Sequence, residues 1–323
     1  MNFDVVTIGD AFEDVFVAPK LSIKSDRTFA SGRGISFEFG EKIPLDWVEY
    51  EIGGSACNIA VGLSRQGYRC GLATVLGEDT PKQRVLERLR REKVSSECIL
   101  IDKKNRTGFS VVFSIEGERT IFVYHGIKDY HDLKINQNIE AKWFFVTSLG
   151  EETEEIEKRI VEEVSEKGAK FAWNPGARQI AQGTNRFKHL LKCTDILFLN
   201  REEALKFVNF PVRPQIEEVM RRLNQLGAKI VVVTNGKEGA RAFDGKQFYE
   251  EPADLKIKRI DSTGAGDAFA SGFLGRLLNE GNIGEKEIGE ALKWGVLNSN
   301  SVIQYVGAQR GLLSVKTIQR TLE

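Results

Sequence analysis

Short, nearly continuous apolar runs recur along the chain, each long enough for a β-strand but too short for a helix. The five clearest are Val5 to Ile8, Leu72 to Leu76, Trp143 to Val146, Ile196 to Leu199 and Ile230 to Val233. Runs without polar alternation are typical of strands buried on both faces of a parallel sheet. This feature constrains the fold most, because such a sheet needs helices to cover both of its faces.

Segments with helical periodicity separate the apolar runs. Residues 156–164 repeat isoleucine or valine every four positions and are followed by Gly168, a residue that commonly ends a helix. Residues 216–226 repeat apolar side chains at helical spacing between Pro214 and Gly227. The alternation predicts an α/β fold, with a doubly wound, mostly parallel sheet and helices on both faces.

Two stretches interrupt this alternation. Residues 12–50 contain no convincing helix, and residues 107–124 have the pattern of a hairpin with a turn near Glu116 and Gly117. Strands outside the alternation need their own surface to pack on, so we interpret them as a small β-rich lid inserted into the core. The expected division is a lid of residues 12–50 and 98–125 and a core of residues 1–11, 51–97 and 126–323.

Charge and hydropathy exclude several classes of protein. The 323 residues include 46 Lys+Arg and 46 Asp+Glu, so the formal net charge is zero. That balance argues against a strongly basic nucleic-acid surface or a polybasic membrane anchor. No apolar run approaches the roughly 20 residues that span a bilayer, and the amino terminus lacks the pattern of a signal peptide. We expect no nucleic-acid or membrane partner.

The four cysteines are widely spaced, and the three histidines show no metal-ligand spacing. This pattern argues against a structural zinc site and favours free thiols in a reducing cytosol. A cytoplasmic protein is therefore expected.

The strongest chemical motif is a run of small residues from Asp261 to Gly272 that leads into a helical pattern. The unpaired amides at such a helix start form an anion site, and Gly264 and Gly266 let a phosphate approach closely. Asp267 is placed to take a proton from a hydroxyl that attacks a phosphoryl group. The alternative is a simple helix start in which the carboxylate complements the helix dipole.

A second motif begins with the adjacent glycines Gly53 and Gly54 and includes Asn58. Glycines before a helix offer backbone donors, and the asparagine amide can both donate to and accept from a hydroxyl. A tight turn in which Asn58 caps the helix explains the same residues equally well.

Two common phosphate-binding motifs are excluded. Gly264-Ala265-Gly266 lacks the third glycine of a dinucleotide fingerprint and does not follow a first strand. No glycine-rich loop ends in the Gly-Lys-Ser/Thr of a P-loop.

Together, these two motifs resemble the signatures of the ribokinase/PfkB carbohydrate kinase family. The family patterns are Gly-Gly-x-x-x-Asn-x-Ala and Asp-Thr-x-Gly-Ala-Gly-Asp, with Ser262 here in place of Thr. Three further segments occur in the family's order and extend the resemblance over nearly the whole chain: Gly9 to Asp14, Asn200 to Glu203 and Thr234 to Gly239.

The resemblance implies transfer of the γ-phosphoryl group of ATP to a substrate hydroxyl. Asp267 would be the base, and the amides of Gly264, Ala265 and Gly266 would stabilise charge on the transferring group. The residues expected to hold the substrate are Phe12, Asp14, Gly53, Gly54 and Asn58. Those expected at the nucleotide are Asn200, Thr234, Gly236, Gly239 and Asn298.

The resemblance also implies cations. Glu203 would hold Mg²⁺ through water, and Asp261 and Thr263 match two ligand positions of a K⁺ site.

An independent physical argument supports one common site. Asp14, Asn200, Thr234 and Asp267 each follow a predicted strand or open the next helix. In an open α/β sheet the carboxyl ends of the strands line one crevice, so these four segments should converge.

The substrate remains open between two classes. Ser55 stands where several phosphosugar-using members carry Lys, which favours a neutral sugar or a nucleoside. Phe12 stands where ribokinases proper have Asn, and it could stack on a nucleobase or fill the apolar underside of the lid. A sugar kinase is the leading hypothesis, a nucleoside kinase the second and a catalytically silent homologue the third. We also expect a homodimer through the lid, because exposed strand edges need covering.

Overall fold

The computed structural model describes residues 2–29, 32–115, 118–127, 130, 133, 139–210 and 214–323. Its strands are β1 Asn2–Ile8, β2 Phe12–Pro19, β3 Lys24–Ser25, β4 Arg33–Gly34, β5 Leu45–Gly53, β6 Cys70–Gly77, β7 Ile99–Asp102, β8 Phe109–Ile115, β9 Glu118–Tyr124, β10 Glu140–Val146, β11 Lys170–Trp173, β12 Ile196–Asn200, β13 Ile230–Thr234, β14 Ala240–Phe243 and β15 Phe248–Glu251. Its α-helices are α1 Ser55–Arg65, α2 Thr80–Arg91, α3 Glu154–Lys167, α4 Ala177–Gln182, α5 Lys188–Cys193, α6 Arg201–Val208, α7 Ile216–Gln225, α8 Ala265–Leu277, α9 Glu285–Val302 and α10 Val315–Leu322.

A nine-stranded sheet forms the centre of the core, in the order β15-β14-β13-β12-β11-β10-β1-β6-β7. From β7 to β13 every pairing is parallel, and β14 and β15 continue the sheet antiparallel. All five strands predicted from apolar runs lie in this sheet. Every residue of β6 is buried, as expected for a strand covered on both faces.

Two hydrophobic cores lie on opposite faces of this sheet. Because side chains alternate along a strand, Val5 of β1 packs into one core and Val6 and Ile8 into the other. Helices α1, α2, α8 and α9 supply the first core, and helices α3 to α7 supply the second. The predicted doubly wound architecture is confirmed.

The amphipathic helices occur where their periodicity predicts them. Helix α3 carries acidic residues in its first turn and ends at Lys167, just before Gly168. Helix α7 buries Ile216, Val219, Met220 and Leu223 on one face. Their buried stripes anchor both helices on the sheet.

The lid is a separate four-stranded sheet in the order β5-β2-β8-β9. Strands β8 and β9 form the predicted antiparallel hairpin, whose expected turn at residues 116–117 lies outside the described residues. The second lid segment is predicted to cover residues 98–125, but its first strand does not belong to the lid sheet. Strand β7, Ile99–Asp102, pairs with β6 at the edge of the large sheet. Strand β5 also runs to Gly53, so the lid sheet reaches the start of α1.

Among the described residues, no helix combines the length and the apolar character that a membrane span requires. All four cysteines are free, and three of them are buried.

Candidate active site

Strand β5 of the lid passes directly into helix α1 through Gly54. This residue has a φ of 90°, and a Cβ added to it would lie 2.4 Å from the backbone oxygen of Asp10. A Cβ on Gly53 would lie 2.0 Å from Oδ2 of Asp14. The paired glycines therefore allow the chain to cross over β2 and bring the lid carboxylate next to α1.

Asp14 lies on β2, between Glu51 of β5 and Ser110 of β8, and is 8% exposed. The Ser110 hydroxyl donates a hydrogen bond to Oδ1 of Asp14. Burial, with a smaller contribution from the negative charges of Asp261 and Asp267, raises the pKa of Asp14 to about 6 against the opposing hydrogen bond from Ser110. This electrostatic coupling places the lid carboxylate close to the predicted base, 253 positions away in the chain.

Helix α8 begins with the predicted anion site. Gly264 caps it with a φ of 72°, and a Cβ there would lie 2.3 Å from Cβ of Ala308. A Cβ on Gly266 would meet no atom within 4 Å, so the space beside that residue is open. The amides of Gly266 and Asp267 belong to the first turn, where no preceding helical carbonyl can accept from them. They can therefore bind an anion.

Asp267 lies in this first turn and is 9% exposed. Nδ2 of Asn58 donates to its Oδ2 over 2.8 Å. Burial raises the pKa of Asp267, and hydrogen bonds from Asn58 and Ser55 oppose that rise. A buried carboxylate with open space and free amides beside it suits a general base.

Asn58 does not cap helix α1, so the alternative role for this residue is wrong. Helix α1 has no side-chain cap. The Asn58 amide instead bonds to Asp267 and, through Oδ1, to Nε2 of Gln309 at 2.9 Å. The asparagine thus connects the substrate-side motif to the predicted base.

Asn200 and Glu203 form a capping box at the start of helix α6. Oδ1 of Asn200 accepts from the Glu203 amide over 2.9 Å, and Oε2 of Glu203 accepts from the Asn200 amide over 2.8 Å. Burial raises the pKa of Glu203, and the negative charge of Asp267 contributes to the rise.

These two side chains also supply oxygen donors of the kind that Mg²⁺ prefers. In the described part of the chain, no group of three or more His, Cys, Asp or Glu side chains could hold a metal ion. A magnesium ion here would therefore depend on water and phosphate ligands as well as on Glu203.

A pocket of about 100 Å³ lies between the start of α8 and helix α9. Its lining residues are Thr234, Gly236, Gly239, Ala253, Ala265, Gly266, Phe269, Val296, Ser299 and Asn300. The predicted nucleotide loop and the anion site therefore share one cavity.

Asn298 does not line this pocket. It is fully buried, donates to the Ala268 carbonyl over 2.7 Å and accepts from the Leu313 amide over 2.9 Å. Asn298 thus fixes the packing of α8 against α9. The neighbouring residues Ser299 and Asn300 line the pocket instead.

Asp261 and Thr263 form a tight turn before α8. Oδ1 of Asp261 accepts from the amide and the hydroxyl of Thr263, at 2.9 and 2.8 Å. Oδ2 accepts from the Gly307 amide over 2.9 Å. The turn connects the anion site to the loop after α9.

Phe12 lies on the same face of the lid as Asp14, because the two are separated by two positions along β2. Its ring meets that of His125 edge-on, with the ring centroids 6.3 Å apart. The ring is half-buried, so part of it remains available to a ligand.

Three features of the site carry no motif in the sequence. Ser110 supports Asp14, Tyr130 donates to Asp10 over 2.7 Å, and Gln309 supports Asn58. A polar residue within an apolar strand is a sequence signal that could have identified Ser110 as a candidate site residue. The contacts of Tyr130 and Gln309 join segments far apart in the chain, so no local sequence pattern predicts them.

Fold and site together define a kinase with the ribokinase fold. Ribokinase from Giardia lamblia matches 99% of this chain with 99% of its own, at a TM-score of 0.80 and 19% identity. Adenosine kinase from Sinorhizobium meliloti matches with a TM-score of 0.77 and 22% identity, over 99% of both chains.

The profile described as "pfkB family carbohydrate kinase" matches residues 30–314, and the chain belongs to this family. An "Uncharacterized sugar kinase" of Archaeoglobus fulgidus is 30% identical over 261 residues, covering 78% of this chain and 98% of its own. A "Cytidine kinase" of Thermococcus kodakarensis is 28% identical over 256 residues, covering 75% and 88%. The protein is thus an ATP-dependent kinase, and the hypothesis of a catalytically silent homologue is set aside.

Proposed function

We propose that the enzyme transfers the γ-phosphoryl group of ATP to a hydroxyl of a small neutral sugar, with Asp267 as the base. The arrangement around Asp267 carries this proposal. The carboxylate is buried beside the first-turn amides of α8, bonded to Asn58 and electrostatically coupled to Asp14 of the lid. A hydroxyl held between the lid and α8 lies within reach of both a base and an anion site.

The chemical step requires one proton transfer and one displacement. Asp267 accepts the proton of the sugar hydroxyl as its oxygen forms a bond to the γ-phosphorus. The bond from that phosphorus to the bridging oxygen breaks, and ADP leaves with the electron pair. The first-turn amides of Gly266 and Asp267 donate to the phosphoryl oxygens, where negative charge is concentrated. The Ala265 amide, also expected there, instead donates to the Ser262 carbonyl over 3.3 Å.

Arginine pairing near the lid favours a neutral acceptor over a sugar phosphate. The ion pairs are Arg84 with Glu13, Arg88 with Glu51, and Arg310 with Glu49 and Glu51. These charges are already compensated, while Asp14 adds negative charge to the site. A second phosphate in the acceptor would be repelled.

Substrate hydroxyls would bind Asp14 and the remaining hydrogen-bonding capacity of Asn58, with Gly53 and Gly54 giving close backbone approach. Phe12 supports the second candidate, a nucleoside kinase. Its half-buried ring lies on the face of the lid that carries Asp14, where a nucleobase could stack.

For the nucleotide, we propose contacts from Thr234, Gly236 and Gly239, with Ser299 and Asn300 taking the place first expected for Asn298. Asn200 and Glu203 would hold Mg²⁺ through water, and the ion would neutralise phosphate charge. Asp261 and Thr263 remain the proposed side-chain ligands of a K⁺ site.

We further propose a homodimer formed through the lid. One cross-strand row of the lid sheet is Tyr50, Val15, Val111 and Phe122. The side chains of Tyr50 and Phe122 are 57% and 55% exposed, and Phe109 and Tyr124 on the same face are also exposed. We call this surface the aromatic face. Its exposed apolar area is of the kind that a second subunit covers.

The test measures ADP release with ATP and Mg²⁺ over neutral sugars, sugar phosphates and nucleosides, with and without K⁺. A neutral sugar should give the highest kcat/KM, whereas a sugar phosphate as the best acceptor would contradict the charge argument. A nucleoside as the best acceptor would select the second candidate.

Asp267→Asn should lower turnover by on the order of 10²–10⁴, with ATP affinity nearly unchanged, because it removes the base but keeps the side-chain shape. The control is Asp46→Asn, which changes an exposed lid carboxylate. Near-wild-type turnover of Asp267→Asn would rule out the assigned base.

A further inference from the structure

Gln309 lies in the loop between α9 and α10 and is fully buried. Its Nε2 donates to Oδ1 of Asn58 over 2.9 Å, and its Oε1 accepts from Arg88 over 3.2 Å. Asn58 in turn donates to Asp267 over 2.8 Å. A single line of hydrogen bonds therefore runs from helix α2 through two amides to the proposed base.

The chemistry of the two ends fixes the direction of this line. A guanidinium group can only donate, so the amide oxygen of Gln309 must face Arg88. An ionised carboxylate can only accept, so the NH₂ group of Asn58 must face Asp267. The orientation of both amides thus follows from their neighbours, although the oxygen and nitrogen of an amide have nearly the same shape.

The opposite orientation of Gln309 would be costly. Its NH₂ group would then face Arg88, with two donors opposed, and its oxygen would face Asn58. The Asn58 amide would have to turn as well, which would direct its oxygen at the Asp267 carboxylate. Because each bond depends on the next, the line acts as one unit.

We propose that Gln309 is a positioning residue that keeps the NH₂ group of Asn58 directed at Asp267. This inference rests on the proposed role of Asp267 as the base. An oriented donor holds the carboxylate in place and favours its ionised form, which is the form that can take a proton. Gln309 itself does not touch the reacting atoms.

The line is also anchored in the lid. Arg88 donates to Oε2 of Glu51 on strand β5 over 3.1 Å, and Nε of Arg310 donates to Oε1 over 2.6 Å. Glu51 is 4% exposed, so this pair of bonds is shielded from solvent. The position of the lid is thereby coupled to the orientation of the amides that support Asp267.

In the part of the chain that the structure describes, the other titratable groups near Asp267 are carboxyl groups and a thiol, and none of them is a cation. Asp14 faces it from β2 and Glu203 from α6, and Asp261 lies in the turn before α8. From α1, Ser55 donates to it, and burial raises the pKa of the neighbouring Cys57 to about 12, which keeps that group a neutral thiol. Support for the carboxylate therefore depends on Ser55 and Asn58.

Two substitutions of Gln309 separate its functions. Gln309→Met keeps the length of the side chain but removes its hydrogen bonds with Asn58, Arg88 and the sulfur of Cys57. Gln309→Glu keeps an acceptor for Arg88 but removes the donor to Asn58 and adds a negative charge. The matched control is Gln66→Met, which alters another buried glutamine whose amide donates to the Ser271 carbonyl of α8.

The kinetic test uses ATP and Mg²⁺ with D-fructose and adenosine as acceptors. Gln309→Met should lower kcat by about 10–100-fold while KM for ATP stays within about twofold. The acid limb of the kcat profile should move to higher pH, further in Gln309→Glu than in Gln309→Met, because the carboxylate loses its support. An unmoved acid limb, or the same shift in Gln66→Met, overturns the proposal.

A second measurement does not depend on activity. The melting temperature (Tm) is measured for wild type, Gln309→Met, Asp267→Asn and the double variant, which together form a double-mutant cycle. A second cycle replaces Gln309→Met with Gln66→Met. Gln309→Met should lower Tm more with Asp267 present than with asparagine there, by about 2 °C or more. Gln66→Met should lower Tm equally in both backgrounds. Additive effects in the Gln309 set overturn the proposal, and if Gln309→Met does not fold, Gln309→Glu replaces it in the same cycle.

The two proposals can fail separately. Full turnover of Asp267→Asn would remove the assigned base, whatever the melting temperatures show. Additive melting temperatures together with an inactive Asp267→Asn would leave the base in place and remove the role of Gln309.

Discussion

Asp14 is a buried carboxyl group whose pKa lies at about 6, above its ordinary value of 3.8. As pH rises from about 4, the unfolded chain releases this proton before the folded protein does. Folding therefore becomes progressively less favourable up to about pH 6, and the cost stays constant above it. A difference of about two pH units corresponds to about 3 kcal/mol. The negative charge that Asp14 would offer to a hydroxyl in the proposed site therefore lowers the stability of the folded protein.

Asp14→Asn should consequently reduce the fall in unfolding free energy between pH 4 and 7, by up to about 3 kcal/mol. Urea denaturation at a series of pH values measures this difference. Asp46→Asn, at an exposed lid carboxylate, should leave the pH dependence of wild type in place. Parallel curves for Asp14→Asn and wild type would show that burial of Asp14 carries no such cost.

The residues of the site differ in how far their sequence predicts their position. Asp267 and Gly264 lie within one helix start, so their relation is local and the motif predicts it. Asn298 has a helical neighbourhood that looks the same whether its amide faces a pocket or the core, and only packing decides between them. Gln309 meets Asn58 across 251 positions, a distance at which a single sequence carries no signal.

At the scale of elements, the start of helix α8 separates two uses of glycine. Gly264 is needed for its backbone, because it has a φ of 72° and lies against Ala308. Gly266 has open space around it and lines the pocket between α8 and α9 that is proposed to bind the nucleotide. The first glycine supports the fold of the turn, and the second keeps the pocket free of side chains.

Alanine substitutions should distinguish these two uses. Gly264→Ala should destabilise the protein by at least about 1–2 kcal/mol, because a left-handed conformation is strained in any residue with a Cβ. Gly266→Ala should leave stability near that of wild type and lower kcat/KM for ATP by about 10–100-fold, because its methyl group enters the phosphate space. Thermal unfolding and initial rates measure the two effects. A reversal of this order would contradict the assignment of the anion site.

A helix or strand can be predicted from the sequence where the spacing of its apolar residues and the length of the segment indicate the same secondary structure. The buried strands and helices α3 and α7 have apolar spacings that only one secondary structure satisfies. The expected lid of residues 98–125 includes strand β7, whose four half-buried residues carry no pattern that favours one sheet over the other. Pairing with β6 decides its place, and that pairing is a tertiary interaction.

For the whole molecule, the lid sheet has two different faces. One carries Asp14 and Ser110 toward the site, and the other is the aromatic face. Four aromatic side chains of the second face, Tyr50, Phe109, Phe122 and Tyr124, are exposed. Association with a second lid would bury the exposed aromatic side chains and so stabilise the sheet.

Phe122→Glu should therefore shift the proposed dimer to a monomer at micromolar concentration, because a charge at the centre of an apolar interface is not solvated. Light scattering coupled to size exclusion measures the mass. The control is Leu255→Glu, which changes a leucine that lies outside the lid on the surface of the α/β domain and is 73% exposed. This substitution should leave the mass unchanged. A monomeric wild-type protein would contradict the dimer.

The single residue that joins β5 to α1 has a mechanical consequence. Gly54 alone separates the last residue of β5 from the first residue of α1, but the lid sheet is also joined to the large sheet by the segments between β1 and β2 and between β7 and β8. A movement of the lid would therefore need backbone dihedral changes at all of these connections together. The short connections at Gly54 and before β2 would then let such a movement turn the lid as one sheet, while α1 stays packed in the core.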